Sequence, residues 1–388
     1  MRKVVFVPHG YTPSIGGGQA YTRGLAEGLV RLGHEVHVVV PDLADPEGFY
    51  GTDHSVVGIG HETIGGVAVT RVPYGADTRR PVVTPRRRDR VLRRARRRYS
   101  RHLGTTLDAI QPHAVVTLPH LFPNVEEVLT LRPLATWKLV YAPLLHENDP
   151  YWPTERIGAA VRASDSVIAL TEHEKERLIA AYGAVATRMS VIPPGVDAPP
   201  RSRGESGPPT VLFLGRRAPS KRLESVYAAM ELIWPSRPDV RLVVAGPPPM
   251  TTPDPADPMR VDPRVTVIDR LDDDHRGQVL DAATLVVSAS LVESFGITIL
   301  EAWAHGRPVV VADTPVNRSV VRDGVDGLIA GTEPAELAEG ISRLLADSDL
   351  AGRLGTEGRQ RSTTEFTWDR SAVALEALIE ATVSRSKE

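Results

Sequence analysis

The chain has 388 residues, a length that predicts two domains of ordinary size. Its formal net charge of −2 gives no electrostatic reason to expect a nucleic acid as partner, and the absence of cysteine excludes disulfides, cysteine metal sites and thiol catalysis. No apolar stretch approaches the length that crosses a membrane, so we expect a cytoplasmic protein.

The first half of the chain alternates short apolar runs with helical patterns, which is typical of a doubly wound parallel sheet. The predicted strands are Val4–Val7, Val36–Val40, Ala114–Leu118, Leu139–Ala142 and Ser166–Leu170. A helix is predicted from about Ala20 to Leu32, directly after the glycine run Gly16-Gly17-Gly18. Glycines there let backbone amides approach a phosphate closely, although a flexible turn is the alternative.

The segment Arg79–Arg101 is strongly basic, with twelve arginines and few apolar residues. Three interpretations stay open: a basic amphipathic helix at an anionic membrane surface, a cradle for a phosphorylated ligand, and a solvated helix face. The shortage of large apolar residues favours the solvated face, so we expect at most a weak surface contact.

Two histidines follow predicted strands of this half. His120 comes after Ala114–Leu118, and His146 comes after Leu139–Ala142. Each could lie near a reacting group, and each could equally be a polar surface residue.

A Pro-, Gly- and Ser-rich segment at 198–209 reads as an interdomain linker between domains 1–197 and 210–365. After this linker, apolar strands again alternate with predicted helices such as Glu224–Leu232 and Arg276–Ala283. The strands of this second half are Val211–Leu214, Leu242–Ala245, Val265–Ile268, Thr284–Ser288 and Val309–Ala312. Because ligands bind outside the carboxyl ends of parallel strands, two such sheets predict a shared cleft.

Cations follow the first strand of the second half. Arg216 and Lys221 lie on its loop, before a helix, and could neutralise a pyrophosphate. Alone, this pattern is also typical of a solvated face.

Two glutamates bracket a glycine-containing turn that opens a predicted helix. Glu293 lies on the incoming loop and Glu301 more than one turn later, while the backbone N–H groups of Phe295, Gly296 and Ile297 favour an anion. A buried carboxylate is costly unless it is paired, so each glutamate should need ligand hydroxyls or a cationic neighbour.

The run Asp272-Asp273-Asp274 resembles a metal-binding aspartate motif at first sight. Aspartate is favoured at a helix N-cap and in the first turn, and the predicted helix Arg276–Ala283 follows directly. We therefore expect a capped helix and no metal site.

Five spaced motifs resemble those of the GT4 family of retaining glycosyltransferases. They are Gly16–Gln19, Val191–Asp197, Phe213–Lys221, Glu293–Glu301 and Gly306–Gly327. The resemblance implies an α/β chain of the GT-B class, with two Rossmann-like doubly wound parallel-sheet domains facing across a cleft. It also implies an N-terminal acceptor domain, a C-terminal donor domain and a last helix, 366–388, that returns to the first domain; a helix that caps its own domain is the alternative.

The resemblance further implies roles for individual residues. Glu301 would bind the ribose hydroxyls of a nucleotide sugar, Glu293 would hold its sugar, and Gly16 and Gly17 would face its phosphate. The family commonly has a histidine near the transferred group after the strand that Ala114–Leu118 matches, which His120 fits only with a shift; His146 competes for the same place, and whether either histidine takes it stays open. The remaining donor-binding residues are Arg216, Lys221, Arg270, Leu271, Ser294, Phe295, Gly296 and Ile297, with Arg270 and Leu271 near the nucleobase.

The implied reaction moves a sugar from a UDP- or GDP-type nucleotide sugar to a small-molecule or glycan acceptor by front-face displacement. Arg216 and Lys221 would stabilise the leaving phosphate without a metal or other cofactor. A sugar-nucleotide epimerase on the same fold is the alternative. Only five of the 46 basic residues are lysine, which suggests a GC-rich genome and is consistent with a role in secondary metabolism or in the cell envelope. The acceptor and the oligomeric state stay open.

Overall fold

The computed structural model describes residues 1–14, 16–44, 56–74, 85–119, 123–146, 154–183, 186–199, 207–249 and 253–385. The chain divides into two compact units. Unit 1 comprises residues 1–145, 150–194 and 368–388, and unit 2 comprises residues 146–149 and 195–367.

Unit 1 is built on a sheet of eight described strands. They are β1 Lys3–Pro8, β2 Glu35–Pro41, β3 Gly60–Ile64, β4 Val67–Val72, β5 Ala114–Leu118, β6 Lys138–Tyr141, β7 Ser166–Ala169 and β8 Met189–Val191. Their order is β3-β4-β2-β1-β5-β6-β7-β8, and only β3 and β4 pair antiparallel. The central strands are continuous apolar runs because helices cover both faces of a parallel sheet.

The helices of unit 1 pack on this sheet. They are α1 Gly17–Arg31, α2 Pro85–Ile110, α3 Pro123–Leu131, α4 Thr154–Ala163, α5 Glu172–Tyr182 and, after the whole of unit 2, α12 Trp368–Ser384. The last helix packs on α1, where a Cβ added at Gly24 would overlap the Trp368 ring. An ion pair of 2.6 Å between Arg2 and Glu380 fixes its far end to the first strand.

Unit 2 has six described strands, all parallel. They are β9 Thr210–Leu214, β10 Arg241–Ala245, β11 Val265–Ile268, β12 Leu285–Ser288, β13 Val309–Ala312 and β14 Leu328–Ala330, in the order β11-β10-β9-β12-β13-β14. Its helices are α6 Leu223–Ile233, α7 Asp273–Ala282, α8 Ile297–Ala304, α9 Pro315–Val320, α10 Pro334–Ala346 and α11 Ser348–Thr364.

The ten predicted strands are all present, each within one residue of its expected bounds. Four described strands were not predicted. Of these, β3 is mostly polar, β8 and β14 have three residues each, and β4 contains the polar pair Thr70-Arg71. Of the helices that the structure describes, none is both long enough and apolar enough to cross a bilayer.

Candidate functional site

A lysine and a glutamate meet at the carboxyl edge of the unit 2 sheet. Lys221 lies in a short 3-10 turn between β9 and α6, and Glu293 lies on the loop between β12 and α8. Strands β9 and β12 are neighbours, so their loops leave the sheet side by side. The Lys221 Nζ donates to Glu293 Oε1 at 2.5 Å, and both side chains keep partial access to solvent. The structure thus brings together two of the predicted site residues, which lie 72 positions apart in the sequence.

A buried serine fixes these two loops to each other. The Ser290 hydroxyl lies 3.3 Å from the Ser220 carbonyl and 3.1 Å from the Val292 carbonyl, and it is 1% exposed. The backbone N–H of Leu291 also donates to the Ser220 carbonyl, at 3.3 Å. The backbone next to Lys221 is therefore anchored to the loop that carries Glu293.

Helix α8 begins next to this ion pair and has no side-chain cap. Its N-cap is Gly296, with φ of 89°, a left-handed conformation that favours glycine. Phe295 is buried edge-on against Phe366, with ring centroids 5.7 Å apart, and this packing holds the turn in place. An uncapped helix start offers backbone N–H groups and a positive dipole end to an anion.

The second predicted glutamate is also paired with a cation. Arg276, on α7, donates from one Nη1 to both carboxylate oxygens of Glu301 on α8, at 2.8 and 2.9 Å. Both side chains are largely but not wholly buried. The expectation that each glutamate needs a cationic neighbour or ligand hydroxyls is met, by Lys221 for Glu293 and by Arg276 for Glu301. Sequence reasoning missed Arg276, whose signal was its place in the first turn of the predicted helix.

A wholly buried arginine ties three loops of unit 2 together. Arg217 donates to both oxygens of Asp254, at 2.8 and 2.5 Å, to Asp269 at 2.8 Å and to the Gly246 carbonyl. These partners follow β10 and β11, while Arg217 follows β9. The pKa of Asp254 is lowered mainly by its hydrogen bond from Arg217, and the pKa of Asp269 mainly by that from Arg260. A cavity of about 550 Å³ adjoins this network.

Adjacent arginines on the loop after β9 therefore have different environments. Arg216, the predicted cation, is half-buried, whereas Arg217 is enclosed among carboxylates. Sequence reasoning missed Arg217, although consecutive residues of an extended segment point to opposite sides, which was the available signal.

The loops after β9 and β10 also approach each other through glycines. Gly246 has φ of 140°, and a Cβ there would collide with the Gly215 carbonyl oxygen. The loop that carries Arg216 thus lies directly against the next loop, which leaves no room for a side chain at this point.

The segment after β11 contains the two residues predicted near the nucleobase and the aspartate run. Arg270 is exposed and Leu271 is buried. Asp272 is the N-cap of α7, and its carboxylate accepts from the His275 N–H at 2.8 Å. The interpretation of this aspartate run as helix-capping is confirmed.

The glycine run of unit 1 differs in one respect from the expectation. Helix α1 begins at Gly17 rather than near Ala20, because the Ala20 N–H already bonds to the Gly16 carbonyl at 2.9 Å. Gly17 and Gly18 therefore form the first turn instead of preceding it. Gly16 and Gly17 are exposed, so backbone N–H groups of this turn are accessible.

A histidine that the sequence reasoning missed lies beside this turn. His9 directly follows β1, and a Cβ added at Gly18 would come within 2.8 Å of its Cε1. Burial lowers the pKa of His9 to about 3, against opposing hydrogen bonds with the Gln19 side chain and the Leu118 backbone. Its imidazole is therefore neutral at pH 7. Of the two predicted histidines, His146 is half-buried after β6, and His120 lies outside the described residues.

Two family models match the chain and together cover most of it. The model described as Glycosyltransferase Family 4 matches residues 15–198, and the model described as Glycosyl transferases group 1 matches residues 198–361. The chain belongs to the family 4 glycosyltransferases. The family predicted from the five spaced motifs is confirmed.

Curated relatives of this family 4 glycosyltransferase include two D-inositol 3-phosphate glycosyltransferases. The protein of Nocardia farcinica is 34% identical over 255 residues, which is 60% of this chain and 56% of the relative. The protein of Corynebacterium glutamicum is 31% identical over 238 residues, which is 55% of this chain and 57% of the relative. The chain thus matches little more than half the length of these relatives.

Solved structures of similar fold cover nearly the whole family 4 chain. Sucrose-phosphate synthase from Thermosynechococcus elongatus has a TM-score of 0.80 at 20% identity, over 99% of this chain and 100% of that chain. Anabaena HepE, solved in complex with UDP-glucose, has a TM-score of 0.75 at 17% identity, over 99% and 100% of the two chains. The predicted GT-B fold with two Rossmann-like parallel sheets is confirmed.

Proposed function

We propose that the chain transfers a glycosyl group from a nucleoside-diphosphate sugar, with retention of anomeric configuration and without a metal. The observation that carries this proposal is the pair Lys221–Glu293 at the uncapped start of α8. A cation, a carboxylate and free helix N–H groups are what a phosphate joined to a hydroxylated sugar requires. The UDP-glucose complex of HepE, a protein of the same fold, supports this donor class.

The proposed division of roles follows from the charges. Lys221 and Arg216 neutralise the diphosphate as it leaves, which stabilises the charge that develops in the transition state. Glu293 orients the sugar hydroxyls and Glu301 the ribose, each held in place by its cationic neighbour.

The proposed reaction is a front-face displacement. The acceptor oxygen bonds to the anomeric carbon on the same face from which the phosphate oxygen departs. The leaving phosphate takes the proton of the acceptor hydroxyl. No protein carboxylate then has to form a covalent intermediate.

The first experiment is thermal stabilisation by UDP, GDP, ADP and dTDP, since a ligand that binds only the folded state raises the unfolding midpoint. We expect a clear shift with one nucleotide, equal in Mg²⁺ and in EDTA. A shift that requires Mg²⁺ would refute metal independence, and no shift with any nucleotide would refute the donor site.

The second experiment is turnover with the selected donor. Inositol 3-phosphate is the first acceptor to test, because it is named in the two curated relatives. Incubation with the donor alone separates the alternatives: an epimerase gives a new sugar nucleotide, whereas a transferase gives slow hydrolysis at most.

The matched variants are Lys221→Gln and Lys175→Gln. Lys175 forms a comparable lysine–glutamate pair, 3.2 Å from Glu172, on α5 of unit 1. We expect Lys221→Gln to lower kcat by on the order of 10²- to 10³-fold, as for the loss of one transition-state donor, and Lys175→Gln to have no effect. Near-normal turnover of Lys221→Gln would contradict the assigned role.

A further inference from the structure

Helix α2 of unit 1 has two sharply separated faces. Ala95, Tyr99, Leu103 and Leu107 recur every fourth residue and are buried in the core. At about 100° per residue, the exposed arginines among the described side chains of α2, residues 91–110, fall within an arc of about 140° centred nearly opposite that buried stripe. They are Arg93, Arg94, Arg97, Arg98 and Arg101, and we call them the arginine face.

The arginine face is not neutralised by the protein. Within the described part of the chain, no carboxylate lies within ion-pair distance of its five members. The neighbouring Arg96, outside this set, behaves differently: it pairs with Glu126 on α3 at 3.3 Å, and Arg156 approaches the same carboxylate at 2.6 Å. Glu126 is thus used by arginines beside the face, whereas the five members of the face form no ion pair within the described chain along about 12 Å of helix.

A groove runs alongside the arginine face, between α2 and α3. Its volume is about 660 Å³, and Arg93, Arg97 and Arg101 line it together with the carboxylates Asp108 and Glu127. The groove hydroxyl of Thr130 already donates to the Glu126 carbonyl at 2.9 Å, so the guanidinium groups are the donors that remain for phosphate oxygens. The extended positive face, rather than the groove with its two carboxylates, is therefore the surface that suits an array of phosphate groups.

We propose that the arginine face docks unit 1 on a bilayer of anionic phospholipids. A long, one-sided cationic helix face complements a plane of phosphate headgroups, and clusters of four to eight arginines on an amphipathic helix are typical of such binding. None of the large apolar residues exposed in the described chain belongs to α2, so the contact is electrostatic and without insertion.

The same absence of exposed aromatic side chains on α2 distinguishes this surface from a single-strand nucleic-acid platform, which stacks bases on aromatics. The formal net charge of the chain is −2, so the attraction is local to this face and sets one orientation on the membrane. This inference does not depend on the proposed function, because it involves none of the donor-site residues.

The test is co-sedimentation of the protein with phosphatidylcholine vesicles and with vesicles that also contain phosphatidylglycerol, at low and at physiological ionic strength. We expect binding to the anionic vesicles only, and weaker binding at the higher salt because exposed charges are screened. Arg97→Gln/Arg101→Gln should weaken it by about fivefold per arginine, or about 25-fold. The charge-preserving Arg97→Lys/Arg101→Lys should retain most of the binding.

The matched control is Arg343→Gln/Arg353→Gln, which removes two exposed arginines from α10 and α11 of unit 2. Unchanged circular dichroism spectra and unfolding midpoints of all variants show that they are folded. Equal losses in the control and in the α2 variant, or binding to neutral vesicles, would overturn the proposal. Tighter binding to heparin or RNA than to anionic vesicles, or full displacement by inorganic phosphate but not by sodium chloride of the same ionic strength, would overturn it as well.

Discussion

Removal of the Arg217 side chain tests whether its ion network holds the donor loops of unit 2 in place. The variant Arg217→Met keeps a side chain of similar length but leaves Asp254, 12% exposed, without its main partner. Breaking a buried ion pair from one side costs about 3–5 kcal/mol, because a buried charge is left uncompensated. Asp254 keeps the more distant Arg260 at 3.6 Å, and the half-exposed Asp269 keeps the same arginine at 2.7 Å, so we expect the lower end, about 3 kcal/mol.

The matched variants isolate the charge effect. In the background of Arg217→Met, the change Asp254→Asn removes the uncompensated carboxylate and should recover part of the loss. Arg343→Met removes an exposed arginine elsewhere in unit 2 and should change stability by less than about 0.5 kcal/mol.

The assay is hydrogen exchange, followed by mass spectrometry, of peptides that cover β9, β10 and β11 at increasing denaturant concentration. It reports the opening free energy of unit 2 without assuming that both units unfold together. Loss of less than about 1 kcal/mol in these peptides would refute the reasoning, since the network would then contribute no more than a surface pair.

The same network predicts a pH dependence with a defined sign. The Arg217 guanidinium lowers the pKa of Asp254, so its contribution is present above the ordinary aspartate pKa of about 3.9 and is lost as the pH falls through the lower folded value. The stability gap between the native chain and Arg217→Met should therefore narrow in acid. A gap that is constant from neutral pH to pH 3 would contradict this assignment.

Three further changes give separate predictions. Because the unfolded His9 has a pKa of about 6.5 and the folded one about 3, unit 1 should lose about 1.7 kcal/mol of stability between pH 6.5 and pH 5. His9→Gln should abolish this loss in exchange measurements, and the same pH slope in both proteins would contradict the assignment. Gly246→Ala should destabilise unit 2 by at least about 2 kcal/mol, because the added Cβ collides with Gly215. Gly352→Ala, with open space around it, should leave the stability unchanged, and equal unfolding midpoints of the two variants would contradict the predicted collision. Arg276→Gln should weaken nucleotide binding by on the order of tenfold, because Glu301 loses the cation that orients it. The measurement is thermal stabilisation at graded nucleotide concentrations, and an unchanged affinity would exclude a role of Arg276 in orienting Glu301.

Much of the fold was predictable because its strands are buried on both faces. A run such as Val4–Val7 has to be apolar throughout, so the sequence marks it clearly. Strand β3, Gly60–Ile64, lies at the edge of the sheet with mostly polar residues, and its pairing with β4 comes from a local turn that no apolar run announces.

The site was predictable in its members but not in its pairings. The sequence identifies Lys221, Glu293 and Glu301, yet the partner of Glu301 depends on how α7 packs beside α8. Arg217 illustrates the same limit, because only the positions of the loops after β10 and β11 show that it is enclosed by carboxylates. Local spacing indicates which way such a side chain points, but the partner of a long-range ion pair is a tertiary contact that local spacing does not identify.

The return of α12 to unit 1 has a consequence during protein synthesis. A Cβ at Gly24 or Gly28 on α1 would collide with Trp368 or Ala372 of α12, so these glycines lie in the face of α1 that α12 covers. This face stays uncovered until Trp368 and Ala372 have been synthesised. All of unit 2 is translated first, which at about 5–20 residues per second leaves the face open for on the order of ten seconds or more. Unit 1 therefore cannot complete this packing until the last helix has been made, although nearly all of the unit is synthesised earlier, and in that interval chaperones can reach the α1 surface.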